Sequence, residues 1–228
     1  MGQEKIWDYF QNESKESFVG SIGRLNAVVK LIRPGEKVLN IGIGAGIFEQ
    51  LAIEKGVDVY SLDPNSATVA EIGRVHGLGE KARVGFVAAI PFDDATFDAV
   101  VMSEVVEHIP VEDLDPSLRE VRRVLRTGGR LIGTVPANED LREQMMVCPD
   151  CGHRFHRWGH VQSFDLNKMS ITLQPLFDIE ILEQRFLPSW SAMAWKGRLE
   201  TTVLYFFRMF GAKLANESIL FSAAKRPD

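Results

Sequence analysis

From Ser17 the apolar positions Phe18, Ile22, Leu25, Val29 and Ile32 recur every three or four residues, and the run stops before Pro34 and Gly35. That spacing predicts one helix with a single buried stripe. The short apolar run KVLNI follows and reads as a buried strand. Phe48, Leu51 and Ala52 then continue as a helix to Lys55 and Gly56, and VDVYSL reads as the next strand. The alternation goes on with a helix near Ser66 to His76, the strands RVGFV and FDAVVM, the helix PSLREVRRVL and the strand RLIGTV. Short β-branched runs separated by amphipathic helices predict parallel strands joined by right-handed crossovers, with helices on both sheet faces. The first 136 residues therefore read as a doubly wound, Rossmann-like α/β unit. Beyond them come a cysteine- and histidine-rich insertion at 147–164, a helix from about Asp165 to Gln174, the strand FDIEILEQRF, an apolar helical segment at 189–214 and the strand ESILFSAA. The two late strands are expected to complete the same sheet, making residues 1–228 one domain.

Composition narrows the function classes. With 45% hydrophobic and 25% charged residues the chain is of ordinary globular type. Its net charge is -5, and no window gathers the lysines and arginines needed to track a phosphate backbone, which argues against nonspecific nucleic-acid binding. No stretch reaches 18 consecutive apolar residues, and the N-terminal MGQEKIWDYF lacks the apolar core of a secretory signal, so a cytoplasmic protein without a transmembrane segment is expected. A reducing compartment shifts a CxxC pair from disulfide towards metal or redox chemistry.

The run VLNIGIGAGIFEQLA places Gly42, Gly44 and Gly46 between a buried strand and a helix. Glycines there allow a tight turn and close approach of a ligand to unpaired helix N–H groups. The dinucleotide fingerprint would need glycine or alanine at 47, where Ile47 stands, so a different adenosine ligand is favoured over a nicotinamide cofactor. Asp63, at the end of the next strand, is placed to accept hydrogen bonds from both ribose hydroxyls; its other reading is a turn or capping aspartate before Pro64. After FDAVVM comes SEVVEHI. If a helical turn starts there, Glu104, Glu107 and His108 share one face at the carboxyl end of a central strand, where open α/β sheets bind ligands.

Four segments in order, VLNIGIGAGIFEQLA, SLDPN, AAIPFDDATFDAVVMSEVVEHI and VLRTGGRLIGTVP, resemble the class I S-adenosylmethionine-dependent methyltransferases, in particular the small-molecule type that includes ubiquinone-biosynthesis O-methyltransferases. The resemblance covers about Val38 to Pro136. It implies S-adenosyl-L-methionine as cofactor, an antiparallel last strand, and cofactor contacts from Asn40, Gly42, Gly44, Gly46, Asp63, Phe86, Val87 and Ser103. Two positions depart from the family pattern. Asn40 stands where Asp or Glu is usual, and Phe86 replaces the acid near the adenine. The ExxEH set with a later histidine is similar to the pattern by which small-RNA 2'-O-methyltransferases and ubiquinone O-methyltransferases hold a divalent cation on substrate hydroxyls. That resemblance nominates Glu104, Glu107, His108 and His160 as a cation site at the acceptor. Without a cation, His108 or His160 is the candidate general base, so the catalytic set is Glu107, His108 and His160. Both versions imply O-methylation of a small-molecule or glycan hydroxyl. N- or C-methylation, and a noncatalytic cofactor-binding protein that contacts a partner through its metal knuckle, are the alternatives.

The segment VCPDCGHRFHRWGHVQSF holds both cysteines and three of the five histidines. Cys148, Cys151 and His156, completed by His153 or His160, have the spacing of a structural zinc knuckle. His160 is thus claimed by two sites. In the helical segment at 189–214, Trp195, Leu199, Val203, Phe206 and Phe210 form a broad apolar stripe that reads as core or homodimer contact, as an acceptor lid or as a membrane-surface contact. IWDYF near the N-terminus is expected to close over the cofactor.

Overall fold

The computed structural model describes residues 3–190, 195–209 and 217–227. Helix α1 (Gln3–Asp8) leads through irregular helical turns to α2 (Ile22–Lys30). The chain then alternates through β1 (Lys37–Ile41), α3 (Ile47–Glu54), β2 (Asp58–Asp63), α4 (Ser66–Val75), β3 (Ala82–Val84), β4 (Phe97–Ser103), α5 (Val111–Val124) and β5 (Leu125–Pro136). A two-stranded hairpin, β6 (Met145–Val147) and β7 (Arg154–His156), precedes α6 (Leu166–Leu173), β8 (Phe177–Phe186), α7 (Trp195–Met209) and β9 (Glu217–Lys225).

Seven strands form one sheet in the order β3-β2-β1-β4-β5-β9-β8. The pairs from β3 across to β5 are parallel, and β9 lies antiparallel between β5 and β8. The late strands thus complete the sheet as expected. Strand order reverses between β1 and β4, so their carboxyl ends open the crevice in which sheets of this kind hold ligands.

Side chains of β1 alternate between two cores. Leu39 and Ile41 pack with Leu118 and Val121 of α5 and Met169 of α6, whereas Val38 packs with Val28 of α2 and Phe48 and Ala52 of α3. Each fully buried Leu, Val or Phe contributes about 1.5–3 kcal/mol, which fixes the strand register and hence which residues reach the crevice.

Two boundaries differ from those read in the sequence. The helix expected from Ser17 is regular only from Ile22, because Ser17 Oγ donates to Ser14 O and Ser21 Oγ donates to Phe18 O, local bonds that compete with helical ones. The RVGFV strand stops at Val84: Gly85 N–H caps Asp63 O and Phe86 turns back onto Ala89. Among the described residues no helix is long and apolar enough to cross a membrane. Of the stripe on the 189–214 segment, Phe210 lies outside the described residues, and Trp195, Leu199, Val203 and Phe206 of α7 are exposed.

Candidate active site

One cleft of about 1040 Å³ runs along the carboxyl ends of β1, β2, β4 and β5, from the glycine loop to His160 of the insertion. At its first end Gly42, Gly44 and Gly46 all have positive φ, at 84°, 58° and 75°. A Cβ on Gly42 would fall 2.7 Å from Val105 Cγ2, and one on Gly46 would fall 2.6 Å from Ile72 Cδ1. Glycine is therefore needed for both conformation and space. The loop is tied to Asp63, whose Oδ2 accepts from Ile43 N–H at 2.9 Å while its Oδ1 accepts from Asn65 N–H at 2.9 Å. Burial pushes the Asp63 carboxyl upward, and those N–H donors with Gln11 partly offset it. Asp63 thus serves the turn and also faces the cleft. The capping residue of α4 is Asn65, whose side chain accepts from Thr68 N–H.

Asn40 also reaches the cleft, and its orientation is set by a residue that no motif flagged. Glu49 of α3 is fully buried, and its Oε1 accepts from Asn40 Nδ2 and from Ser61 Oγ, both at 2.8 Å. With its amide donor committed to Glu49, Asn40 keeps its carbonyl oxygen as an acceptor. Burial raises the Glu49 carboxyl above its ordinary range, against the pull of Asn40 and Ser61. Phe86 and Val87 line the cleft beyond Asp63; Phe86 is largely exposed, and Val87 packs on the core. Ser103, at the end of β4, shares a 2.8 Å hydrogen bond with Thr134 and lines the cleft's middle.

At the other end five side chains gather: Glu107 and His108 on the turn after β4, Glu139 after β5, and His156 and His160 from the insertion. Among the described residues two triads, Glu107–His108–His160 and Glu139–His156–His160, have ligating atoms within 4.8 Å of one another. Fixed neighbours assign the imidazole protons. Gly159 O can only accept, so His108 Nδ1–H donates to it at 3.1 Å and Nε2 keeps its lone pair. Glu139 Oε2 lies 2.6 Å from His160 Nδ1, so the neutral imidazole carries its proton there and leaves Nε2, 3.9 Å from Glu107 Oε1, with its lone pair. His160 N–H donates to His156 Nδ1 at 3.1 Å, leaving the His156 proton on Nε2, which faces Glu139 Oε1 at 3.5 Å. Glu107 is 1% exposed, and neither of its oxygens has a hydrogen-bond partner in another residue. Burial drives its carboxyl well above the usual range, and the charge of Glu104 adds to the effect. Burial and then the neighbouring His160 push His108 down to about 3, so its imidazole is neutral.

Several sequence expectations are corrected here. Glu104 does not join the cation set: its φ is 57°, its Oε1 accepts from Thr134 Oγ1 at 2.9 Å, and Arg24 Nε lies at 3.5 Å. Its side chain is engaged by Thr134 of β5 and Arg24 of α2. The zinc knuckle is not assembled either. Cys148 and Cys151 sit at the tip of the β6–β7 hairpin, where the Cys148 thiol is lowered by the backbone N–H groups of Cys151 and Asp150. His156 pairs with Met145 at the opposite end of that hairpin and turns inward. His160 therefore belongs to the cleft. The N-terminal strap lines the cleft through Trp7 and Phe10 of IWDYF, joined by Gln3 and Gln11 outside that run. Trp7 stands edge-on to His108, Gln3 donates to Gly159 O, and Gln11 donates to Asp63 Oδ2. Sequence reading missed Gln3, Gln11, Glu49 and Glu139. For Glu139 the one available signal was its place just past a strand's carboxyl end.

Residues 39–133 match the family described as "Methyltransferase domain". The demethylmenaquinone methyltransferase of Beutenbergia cavernae is 38% identical over 104 residues, which cover 44% of this chain and 40% of that protein. The ubiquinone biosynthesis O-methyltransferase of Xanthomonas oryzae pv. oryzae is 31% identical over 104 residues, covering 42% and 41%. The chain thus spans about two fifths of the length of these curated relatives. Among solved structures, the Burkholderia thailandensis 1,6-didemethyltoxoflavin-N1-methyltransferase, with 1,6-didemethyltoxoflavin and S-adenosylhomocysteine bound, superposes with a TM-score of 0.68 at 15% identity, over 99% of this chain and 87% of that one. The shared fold extends well past the matched segment.

Proposed function

We propose that this chain, whose residues 39–133 match a methyltransferase domain, is a class I S-adenosylmethionine-dependent methyltransferase that methylates a hydroxyl group of a small ring compound, a sugar or an aromatic alcohol, with a divalent cation held by Glu107, His108 and His160. S-adenosylmethionine supplies an electrophilic methyl on a sulfonium. The chain's own groups suit that ligand. The Gly42–Gly46 loop, where glycine leaves room for close approach, and the Asp63 carboxylate take the ribose end, the Asn40 carbonyl oxygen accepts at the amino-acid end, and Phe86 with Val87 flanks the base.

The observation that carries the acceptor half is Glu107. A carboxylate buried without a partner in another residue costs several kcal/mol unless a proton or a cation neutralises it. Two imidazoles with free Nε2 lone pairs share its site, and a two-histidine, one-carboxylate set suits a range of divalent ions. Such a site lowers the pKa of an acceptor hydroxyl and fixes its direction. Trp7 and Trp158 wall this end and favour a flat or sugar-like ring.

A second reading rests on the 2.6 Å contact between Glu139 and His160 Nδ1. It makes His160 Nε2 the general base without a cation.

The test pairs elemental analysis with carbon-13 methyl transfer to hydroxyl, amine and carbon acceptors. Bound divalent metal that disappears in Glu107→Gln, together with an O-methyl product, supports the cation reading. O-methyl transfer that persists in Glu107→Gln favours His160 alone, and N- or C-methyl product overturns the hydroxyl assignment.

A further inference from the structure

Resting on the reading that His160 acts on the acceptor, we infer that Glu139 and His156 are positioning residues that lock the His160 imidazole in its Nδ1–H form and so present Nε2 permanently to the cleft. Three fixed contacts carry this. Glu139 Oε2 is 2.6 Å from His160 Nδ1. A carboxylate there offers no proton in its ionised form, so the imidazole must donate. The other carboxylate oxygen, Oε1, lies 3.5 Å from His156 Nε2, a buried nitrogen with no hydrogen-bond partner. His156 cannot present a bare Nε2 in its neutral form, because its Nδ1 is occupied as acceptor of the His160 backbone N–H at 3.1 Å. Its tautomer is therefore dictated by the backbone of the residue it serves. His156 stacks on His160 with ring centroids 4.6 Å apart and an interplanar angle of 22°, which fixes the plane of the second ring.

The same arrangement ranks the two triads. A cation at Glu139, His156 and His160 would need lone pairs on His156 Nε2 and His160 Nδ1, and in this hydrogen-bond pattern both nitrogens carry protons. The outer triad thus works through hydrogen bonds, and its partner groups turn the unprotonated Nε2 of His160 towards Glu107. A histidine that ligates a metal is held this way by a carboxylate on its other nitrogen, and loss of such a partner costs roughly 10–100-fold in metal affinity. Where the imidazole is a base, the same contact sets the tautomer that can take a proton.

The experiment uses the whole chain labelled with nitrogen-15 at histidine. In the wild type the His160 signals should show Nδ1 protonated and Nε2 bare, with the opposite tautomer at His156. In Glu139→Gln either the amide oxygen or the amide nitrogen can face His160 Nδ1, so the His160 tautomer should become mixed while the amide spectrum keeps its dispersion. Glu139→Asp should recover part of the wild-type pattern. Cobalt(II) titration of the same samples should show affinity falling roughly 10–100-fold in Glu139→Gln. A His160 protonated at Nε2 in the wild type, or a tautomer unmoved by Glu139→Gln, overturns the inference. Wild-type tautomers as stated with no cobalt binding sink the cation reading while leaving this one standing.

Discussion

Asn40→Asp restores the acid usual at this position in the family, and the structure says that this should harm the protein. Asn40 is 2% exposed and Glu49 is fully buried, and the amide donates to the carboxylate at 2.8 Å. Exchanging the amide for a carboxylate removes that donor and sets two acids side by side. At a charge separation of about 4 Å and an effective dielectric constant of about 20, two unit charges repel by about 4 kcal/mol. For a chain of this length each 1 kcal/mol shifts Tm by about 2–4 °C, so the full penalty is about 8–16 °C. The sign of its pH dependence follows from the raised Glu49 pKa. A carboxyl pair whose folded pKa lies above its unfolded value carries no penalty below about pH 4, where both states hold the proton, and loses stability as pH rises through the folded pKa. Thermal unfolding of Asn40→Asp followed by near-ultraviolet circular dichroism should therefore match the wild type near pH 4–5 and diverge steadily towards pH 8. Adding Glu49→Gln to Asn40→Asp reverses the direction of the hydrogen bond, with the new amide donating to the new carboxylate, and should recover most of the loss. A single variant that melts with the wild type across this range, or a double variant that recovers nothing, would refute the reasoning.

Two other outcomes follow from the same geometry. Asp63→Ala removes the acceptor shared by Ile43, Asn65 and Gln11 at the cofactor end. Calorimetric affinity for S-adenosylmethionine should fall at least roughly tenfold, about 1.4 kcal/mol, and unchanged affinity would remove Asp63 from the cofactor site. Cys148→Ser should leave the divalent metal content of the purified protein unchanged, because the thiols sit at the hairpin tip and His156, at the other end, stacks on His160; a proportional loss of metal would reinstate the knuckle.

Much of this architecture was legible in the chain because its signals are local. Strands such as KVLNI and FDAVVM are short and apolar, the helices between them carry a repeating stripe, and the glycines at 42, 44 and 46 mark a loop whose φ values only glycine adopts easily. The order of loop, strand and Asp63 located one end of the cleft. The structure brings Glu107, His108 and His160 together, since a strand's carboxyl end and the following insertion both reach the crevice.

What sequence alone left open were choices between donors of equal chemical merit. Glu104 and Glu107 are three residues apart and alike in type, yet a positive φ sends one to Arg24 and Thr134 while the other is buried beside the histidines. Cysteine and histidine spacing suggested a closed zinc site, but the hairpin register puts His156 and the thiols at opposite ends. Glu49 and Glu139 carry no motif, and each gains its role from a contact with a residue 9 or 21 positions away in the chain. Hydrophobic period and glycine geometry act within one element and survive in the sequence. The direction of a hydrogen bond, the tautomer of an imidazole and the partner of a buried carboxylate depend on which elements pack together, and only the tertiary structure decides them.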